Sequence, residues 1–180
     1  MDAVKCIETR RSIRTFKDKA VENCEIEKIV DTAKFAPSWK NTQTVRYIAI
    51  KDEKIKNELR DTCLMGFDHN AGIVDGAPVV MAVATVNERS GYERDGSFST
   101  SKGTHWQSFD AGVASQTFCL TAHDMGLSTV IMGIFDAEKV HALLHLPETM
   151  SVSALIALGY GDESGREPVR KDTADILEIR

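Results

Sequence analysis

The chain has 180 residues, a length at which one domain buries roughly 70% of its unfolded surface, so we predict a single domain over residues 1–180. Hydrophobic residues make up 42% of the chain and charged residues 27%, which excludes an intrinsically disordered protein. The formal net charge of −5 argues against a nonspecific nucleic-acid-binding protein, because neutralising many phosphates requires a broad excess of Lys and Arg. It leaves room for one local anion site.

The first half of the chain predicts three helices and one strand. A short helix fits residues 2–9, and the apolar periodicity of ENCEIEKIVDTAKFAPS predicts a second, capped by Asn23 and stopped by Pro37. The run TVRYIAIKD is rich in β-branched and aromatic residues and predicts a strand. Asp52 is placed to cap a third helix that continues to about Met65.

The second half predicts three strands, two helices and a long loop. The apolar run APVVMAVATV predicts a strand buried on both faces, and residues 87–104 predict a lid, a binding loop or a disordered insertion. A long helix runs from about Thr104 to Met125; its small apolar residues indicate a central or subunit-interface position. LSTVIMG and MSVSALIALGYG predict strands, and Asp136 caps the helix between them. Interspersed strands and helices predict an α/β or α+β protein with a small mixed sheet.

The spacing of the cysteines and the length of the apolar runs indicate the cellular compartment in which the protein is expected. Cys6, Cys24, Cys63 and Cys119 are too widely spaced for a metal knuckle or a redox pair, so each is predicted to be a buried apolar residue or an inert thiol. The beginning of the chain has no apolar core typical of a signal peptide, and APVVMAVATV is too short to cross a bilayer. We therefore expect a reducing, cytoplasmic location without membrane partners.

A cluster of cations near the beginning of the chain is the first candidate site. In ETRRSIRTFKDK, Arg10, Arg11 and Arg14 surround Ser12 where the first helix is predicted to end. Guanidinium groups bind phosphate through charge-assisted, often bidentate hydrogen bonds, and the Ser hydroxyl adds a neutral donor. The alternative is a solvated basic surface.

Three further segments carry polar groups between predicted elements. Ser38, Asn41 and Gln43 follow a proline-stopped helix and could bond the edge of a heterocycle, or form an ordinary turn. Gly133, between a strand and a capped helix, would let a flat ring approach the backbone, or belong to a plain turn. After Gly159-Tyr160-Gly161 the chain presents three cations, which could also be part of a solvated tail: Arg166, Arg170 and Lys171.

The order and spacing of these segments resemble the nitroreductase family of FMN-dependent oxidoreductases over almost the whole chain. The carrying motifs are RRSIRxF, APSxxNxQ, the APVV strand, a Trp shortly before DAGxASQ, the GL-to-MGxFD stretch, and ALGYG followed by a basic tail. The resemblance implies an α+β fold with a mixed, mainly antiparallel sheet flanked by helices. It also implies an obligate, intertwined homodimer with two flavins at its interface.

The resemblance implies roles for individual residues. Arg10 and Ser12, with Arg11 alongside, match the ribityl-phosphate contacts, and Arg14 matches the cation at the N1/O2 edge of the flavin, where it would stabilise the charge of the reduced ring. Four residues match the segment that reaches the flavin from the neighbouring subunit: Pro37, Ser38, Asn41 and Gln43. The remaining matches are Met132 and Gly133 against the ring and its N5, Arg170 at the phosphate with Lys171 or Arg166 as substitutes, and Asn70 as a weaker polar contact.

The chain departs from the family pattern at Trp39, Lys40 and Thr44-Val45. Trp39 and Lys40 either narrow the substrate site and favour an anionic substrate, or point to solvent or the dimer interface. His141 and His145 have metal-ligand spacing, but nothing nearby completes a metal site.

The implied activity is hydride transfer from NAD(P)H through flavin N5 to a nitroaromatic, a quinone or a similar small oxidant, with no catalytic side-chain nucleophile. Three alternatives stay open. The chain could be a flavin-binding storage, sensing or electron-transfer protein without robust turnover. It could be a specialised flavin dehydrogenase, dehalogenase or flavin-cleaving enzyme. The least favoured alternative is a plain anion-binding interaction module.

Overall fold

The computed structural model describes residues 1–180. Its helices are α1 Ala3–Thr9, α2 Asn23–Ala33, α3 Glu53–Glu58, α4 Asp68–Gly76, α5 His105–Asp124, α6 Ala137–Leu143 and α7 Thr173–Ile176. Its strands are β1 Val45–Ile50, β2 Val79–Val86, β3 Ser128–Met132 and β4 Met150–Gly159. Trp39–Asn41 forms one 3₁₀ turn, and α3 continues into a wider π-helical turn over Leu59–Cys63.

The four strands form one antiparallel sheet in the order β1-β2-β4-β3. The single parallel element is a bridge between Ser12 and Thr129 on the outer edge of β3, and Phe16 bridges Gly161 just beyond β4. The sheet is therefore mixed but mainly antiparallel, as predicted.

Helices cover both faces of the sheet, and the alternation of β2 side chains decides which face each residue meets. Val80 and Ala82 belong to a core that also contains residues of α4, α6 and the π-helical turn. Val79, Met81 and Val83 point the other way, into a core built with α2 and α5. Every residue of β2 up to Thr85 is buried, which confirms the strand predicted to be buried on both faces.

Several predicted boundaries needed correction. The prediction of Asn23 as the cap of α2 was wrong: Asn23 is the first helical residue, its Oδ1 accepts from Lys51 Nζ at 2.8 Å, and the Glu22 backbone N–H donates to the Glu25 carboxylate at 2.9 Å. The helix also ends at Ala33, several residues before Pro37. Helix α4 was not predicted, because Gly72, Gly76 and the polar residues around Asn70 obscure its short apolar face.

Three of the four thiols are buried, namely Cys6, Cys63 and Cys119, whereas Cys24 is exposed; all four are free. Residues 87–104 contain an antiparallel bridge between Tyr92 and Phe98. None of the helices combines the length and the apolar character that crossing a membrane requires.

Candidate functional site

The arginine-rich segment lies along the open edge of β3. The backbone N–H of Arg10 closes helix α1 by donating to the Cys6 carbonyl, and the chain then leaves the helix. The Ile13 backbone N–H donates to the Thr129 carbonyl at 3.1 Å, which fixes the segment against the strand. Ile13 is buried, whereas Ser12 is half-buried and Arg14 is exposed, so the extended backbone sends alternate side chains to different environments.

Arg10 carries a buried polar atom without a partner. Its Nε is shielded from solvent and makes no hydrogen bond with the protein. A buried donor left unpaired costs about 1–3 kcal/mol, so this atom is expected to meet a ligand. Arg10 and Arg11 line a cleft of about 170 Å³, hereafter the arginine cleft. Its other lining residues are Thr9, Ile13, His123, Leu127, Ser128, Thr129, Glu163 and Ser164. A basic cleft with an unsatisfied guanidinium N–H fits a phosphate group.

Acidic residues after β4 lie against the other two arginines. Arg11 forms an ion pair with Glu167 at 3.0 Å, and the Arg14 backbone N–H donates to Glu163 Oε1 at 2.9 Å. The Arg14 guanidinium reaches only the Ser12 carbonyl, at 3.3 Å. An incoming phosphate would therefore compete with these carboxylates. The sequence predicted that this tail supplies a cation; Arg170 lies exposed within it, and its phosphate contact stays a prediction.

His123 adds a titratable group to the same cleft. Its Nε2 is 3.0 Å from the Thr9 hydroxyl. Burial lowers the pKa of His123, and the positive charges of Arg10 and Arg11 lower it further. The imidazole is therefore favoured in its neutral form beside the arginines. Sequence reasoning gave His123 no role, because only the packing of α5 against α1 brings it here.

Asn70 meets the turn that follows β3. Met132 is the last residue of the strand and is buried, whereas Gly133 is exposed. Apart from Gly133 itself and its two chain neighbours, no residue has a heavy atom within 4 Å of a Cβ added at Gly133, so this turn presents an open backbone surface. Asn70 is buried, and its amide donates to the Ile134 carbonyl at 3.0 Å. The structure thus brings Asn70 to the Met132–Gly133 stretch, about four residues or 13 Å along the strand from the Ser12 bridge.

The polar segment after α2 lies elsewhere. Pro37, Asn41 and Gln43 are exposed, and the Ser38 hydroxyl accepts from the Gln43 backbone N–H at 3.0 Å. This segment is attached to Asp110 near the beginning of α5, whereas His123 is near its end. Thirteen helical residues separate the two, or about 20 Å. One chain therefore does not bring Ser38–Gln43 to the arginine cleft.

The structure also shows the contacts of Trp39 and Lys40, two of the residues at which the chain departs from the family pattern. Trp39 is half-buried, and its ring centroid is 4.7 Å from that of Trp106. Lys40 Nζ pairs with Glu93 at 3.0 Å, so its charge is already neutralised. The Ser99 hydroxyl and Lys40 both lower the pKa of Glu93, which keeps this carboxylate ionised. Attraction of an anionic substrate by Lys40 is therefore weakened.

A helix-covered, mainly antiparallel sheet, with a cleft lined by Arg10 and Arg11 at its edge strand, defines an α+β protein. The model of the nitroreductase family matches residues 7–160, and the chain belongs to this family. A provisionally named NADH dehydrogenase/NAD(P)H nitroreductase from Archaeoglobus fulgidus is 27% identical over 163 residues, covering 88% of this chain and 85% of the relative. An NADH dehydrogenase from Thermus thermophilus is 29% identical over 188 aligned positions, which cover 92% of this chain and 89% of the relative.

Solved structures agree on the fold. A provisionally named nitroreductase from Desulfovibrio desulfuricans, solved in complex with FMN, has a TM-score of 0.81 at 27% identity and covers 100% of this chain and 97% of its own. A nitroreductase family protein from Streptococcus pneumoniae has a TM-score of 0.85 at 21% identity, covering 98% and 99%. The predicted family and α+β fold are confirmed.

Proposed function

We propose that the chain, as a single domain over residues 1–180, is an FMN-dependent oxidoreductase that transfers a hydride from NAD(P)H to a nitroaromatic, a quinone or a similar small oxidant. The observation that carries the proposal is the buried, unpartnered Arg10 Nε beside a basic cleft at the sheet edge. The family adds support, since its members similar to this chain include NAD(P)H oxidoreductases and a protein holding FMN.

The residues of this chain would hold the cofactor at two ends. Arg10, Arg11 and Ser12 would bind the phosphate, with Arg170 as a further proposed contact. Arg14, whose guanidinium is exposed and has only a carbonyl partner, would stabilise negative charge at the ring edge. Met132 and Gly133 would lie against the ring, with Asn70 holding their turn through Ile134. Bound FMN supplies the hydride acceptor and donor, so no side-chain nucleophile is needed.

The proposed site is completed by a second copy of the chain. Pro37, Ser38, Asn41 and Gln43 are about 20 Å from the arginine cleft along α5, so within one chain they do not reach the proposed phosphate end of the site. A homodimer would bring this segment from the partner. Exposed apolar residues support an interface: Phe109 of α5 is 60% exposed, and Val169 and Ile179 of the tail are 98% and 86% exposed.

Loading the purified protein with FMN tests the proposal. We expect the bound-flavin absorbance spectrum, bleached under anaerobic conditions by NADH, NADPH or both and restored by a quinone or nitroaromatic. Arg10→Ala should weaken FMN binding by about tenfold or more, the effect of one lost charge-assisted hydrogen bond. Protein that stays colourless with excess FMN would overturn the proposal. Flavin-loaded protein that consumes neither nicotinamide would favour a flavin-binding role without turnover.

A further inference from the structure

A buried carboxylate outside the arginine cleft holds the Ser38–Gln43 segment. Asp110 is 2% exposed and lies near the beginning of α5. Its two oxygens accept from the Trp39 backbone N–H at 3.1 and 3.0 Å, and Oδ2 also accepts from the Ser90 hydroxyl at 2.5 Å. A buried carboxylate is costly unless its oxygens are satisfied, so the position of Asp110 depends on these donors.

The segment that Asp110 holds has a strained backbone. Lys40, Asn41 and Gln43 have φ values of 44°, 56° and 49°, in the left-handed region that residues with a Cβ rarely adopt. Such conformations persist only when surrounding contacts impose them, and they concentrate at functional sites.

The contacts that impose this conformation come from α5 and from the loop over residues 87–104. Ser90 is 3.2 Å from the Thr42 hydroxyl in addition to its bond with Asp110. The Trp39–Trp106 pair and the Lys40–Glu93 ion pair add restraints from the same two elements. Asp110 and Ser90 are the buried members of this set, and of the two only Asp110 bonds the backbone N–H of Trp39.

We propose that Asp110 is a positioning residue that fixes the strained Ser38–Gln43 segment, so that this segment can meet the cofactor held by a partner chain. The inference rests on the proposed function for its flavin contact. It does not make Asp110 catalytic, because the carboxylate faces Trp39 and Ser90. Ser90 shares the task by bridging Asp110 to Thr42.

Hydrogen exchange and FMN affinity in three variants test the inference. In Asp110→Asn, backbone amides of residues 39–43 should exchange at least about tenfold faster, and the Kd for FMN should rise about tenfold, while exchange in β2 stays unchanged. Ser90→Ala should give a smaller change in the same direction. Asp95→Asn is the matched control. The Asp95 carboxylate is exposed in the 87–104 loop and bonds only Ser97, so its substitution should change neither the exchange rates nor the Kd for FMN.

Two results would overturn the inference. One is a lower melting temperature in Asp110→Asn with unchanged exchange at residues 39–43 and unchanged FMN affinity, which would make Asp110 a stabilising residue only. If Asp110→Asn does not fold, unchanged exchange and affinity in Ser90→Ala would be the contrary result. Failure of wild-type protein to bind FMN would overturn the proposed function separately, because the exchange measurement requires no flavin.

Discussion

Arg14 differs from the other arginines of the cluster in having a nearly unengaged guanidinium. Arg10 is half-buried and Arg11 is paired with Glu167, whereas Arg14 is exposed and reaches only the Ser12 carbonyl. Because the Arg14 side chain makes only this one hydrogen bond, its removal should not destabilise the fold. Its charge is therefore available for the ligand, and its removal tests function cleanly.

Arg14→Ala should lower the two-electron reduction potential of bound flavin by about 30 mV, which corresponds to about 1.4 kcal/mol. The physical reason is that a cation at the ring edge stabilises the negative charge gained on reduction. The potential can be measured by equilibration with reference dyes. Arg94→Ala, exposed in the 87–104 loop, is the control, and an unchanged potential together with an unchanged reduction rate would contradict the proposed role of Arg14.

His123 should make the stability of the flavin-free protein dependent on pH. Burial and then Arg10 lower its pKa in the folded chain below the usual 6.5. Below pH 6.5 the unfolded chain therefore binds more protons than the folded chain, and stability falls with pH until the folded pKa is reached. Urea unfolding at pH 7 and pH 5 should show a larger loss for wild type than for His123→Gln. Equal losses in the two proteins would count against this account.

At the scale of elements, the close approach of neighbouring side chains to the backbone decides where glycine is required. A Cβ added at Gly159, the last residue of β4, would lie 2.7 Å from Pro78 Cδ and 2.8 Å from Phe16 Cδ1. This contact joins the end of β4 to the beginning of β2 and to the segment that follows the arginines. Gly133, which directly follows β3, has open space where its added Cβ would lie.

Substitution of these two glycines should therefore give opposite results. Gly159→Ala should destabilise the protein by about 1–3 kcal/mol, because two neighbours must move. Gly133→Ala should leave the unfolding free energy of flavin-free protein within about 0.5 kcal/mol but weaken FMN binding, since the methyl group would occupy the proposed ring surface. Denaturant unfolding without flavin and FMN titration separate the two effects. A Gly133→Ala variant with wild-type FMN affinity would contradict the placement of the ring.

At the scale of the whole molecule, helix α5 connects the two proposed halves of the site. Its buried side contributes Phe118 and Ala122 to the core, and its opposite side exposes Phe109 and Gln116. The length of this helix separates Ser38–Gln43 from the arginine cleft within one chain. Dimer formation through the exposed side of α5 is therefore expected to be a condition for flavin binding.

Phe109→Glu should convert the proposed dimer to a monomer and reduce FMN binding with it, because burying an unpaired carboxylate at an interface is strongly unfavourable. Light scattering coupled to gel filtration measures the mass, and the flavin spectrum measures loading. Ala142→Glu, exposed on α6 at the other face of the sheet, is the matched control and should stay dimeric. A Phe109→Glu variant that remains dimeric and fully loaded would exclude this face as the interface.

The local sequence was sufficient to predict most of the helices and strands and to single out the cluster of arginines near the beginning of the chain. The period of apolar residues predicted α2, a stretch of small apolar residues predicted α5, and the unbroken apolar run predicted β2. Asp52 and Asp136 cap the two helices that they were predicted to cap. These features depend on residues a few positions apart. Helix α4 escaped prediction because its two glycines and polar residues leave too weak a local pattern.

By itself, the sequence determined the succession of the four strands and of the helices other than α4 and α7, the buried character of β2 and the motifs that mark the family. Only the tertiary structure decided that Glu163 and Glu167 lie against the arginines, that Asn70 holds the Ile134 carbonyl, and that Asp110 bonds Trp39, 71 residues away in the chain. The physical reason is that such contacts depend on how helices pack across the sheet. Local periodicity and propensity do not specify which residues, distant in the chain, come within hydrogen-bond distance when the helices pack.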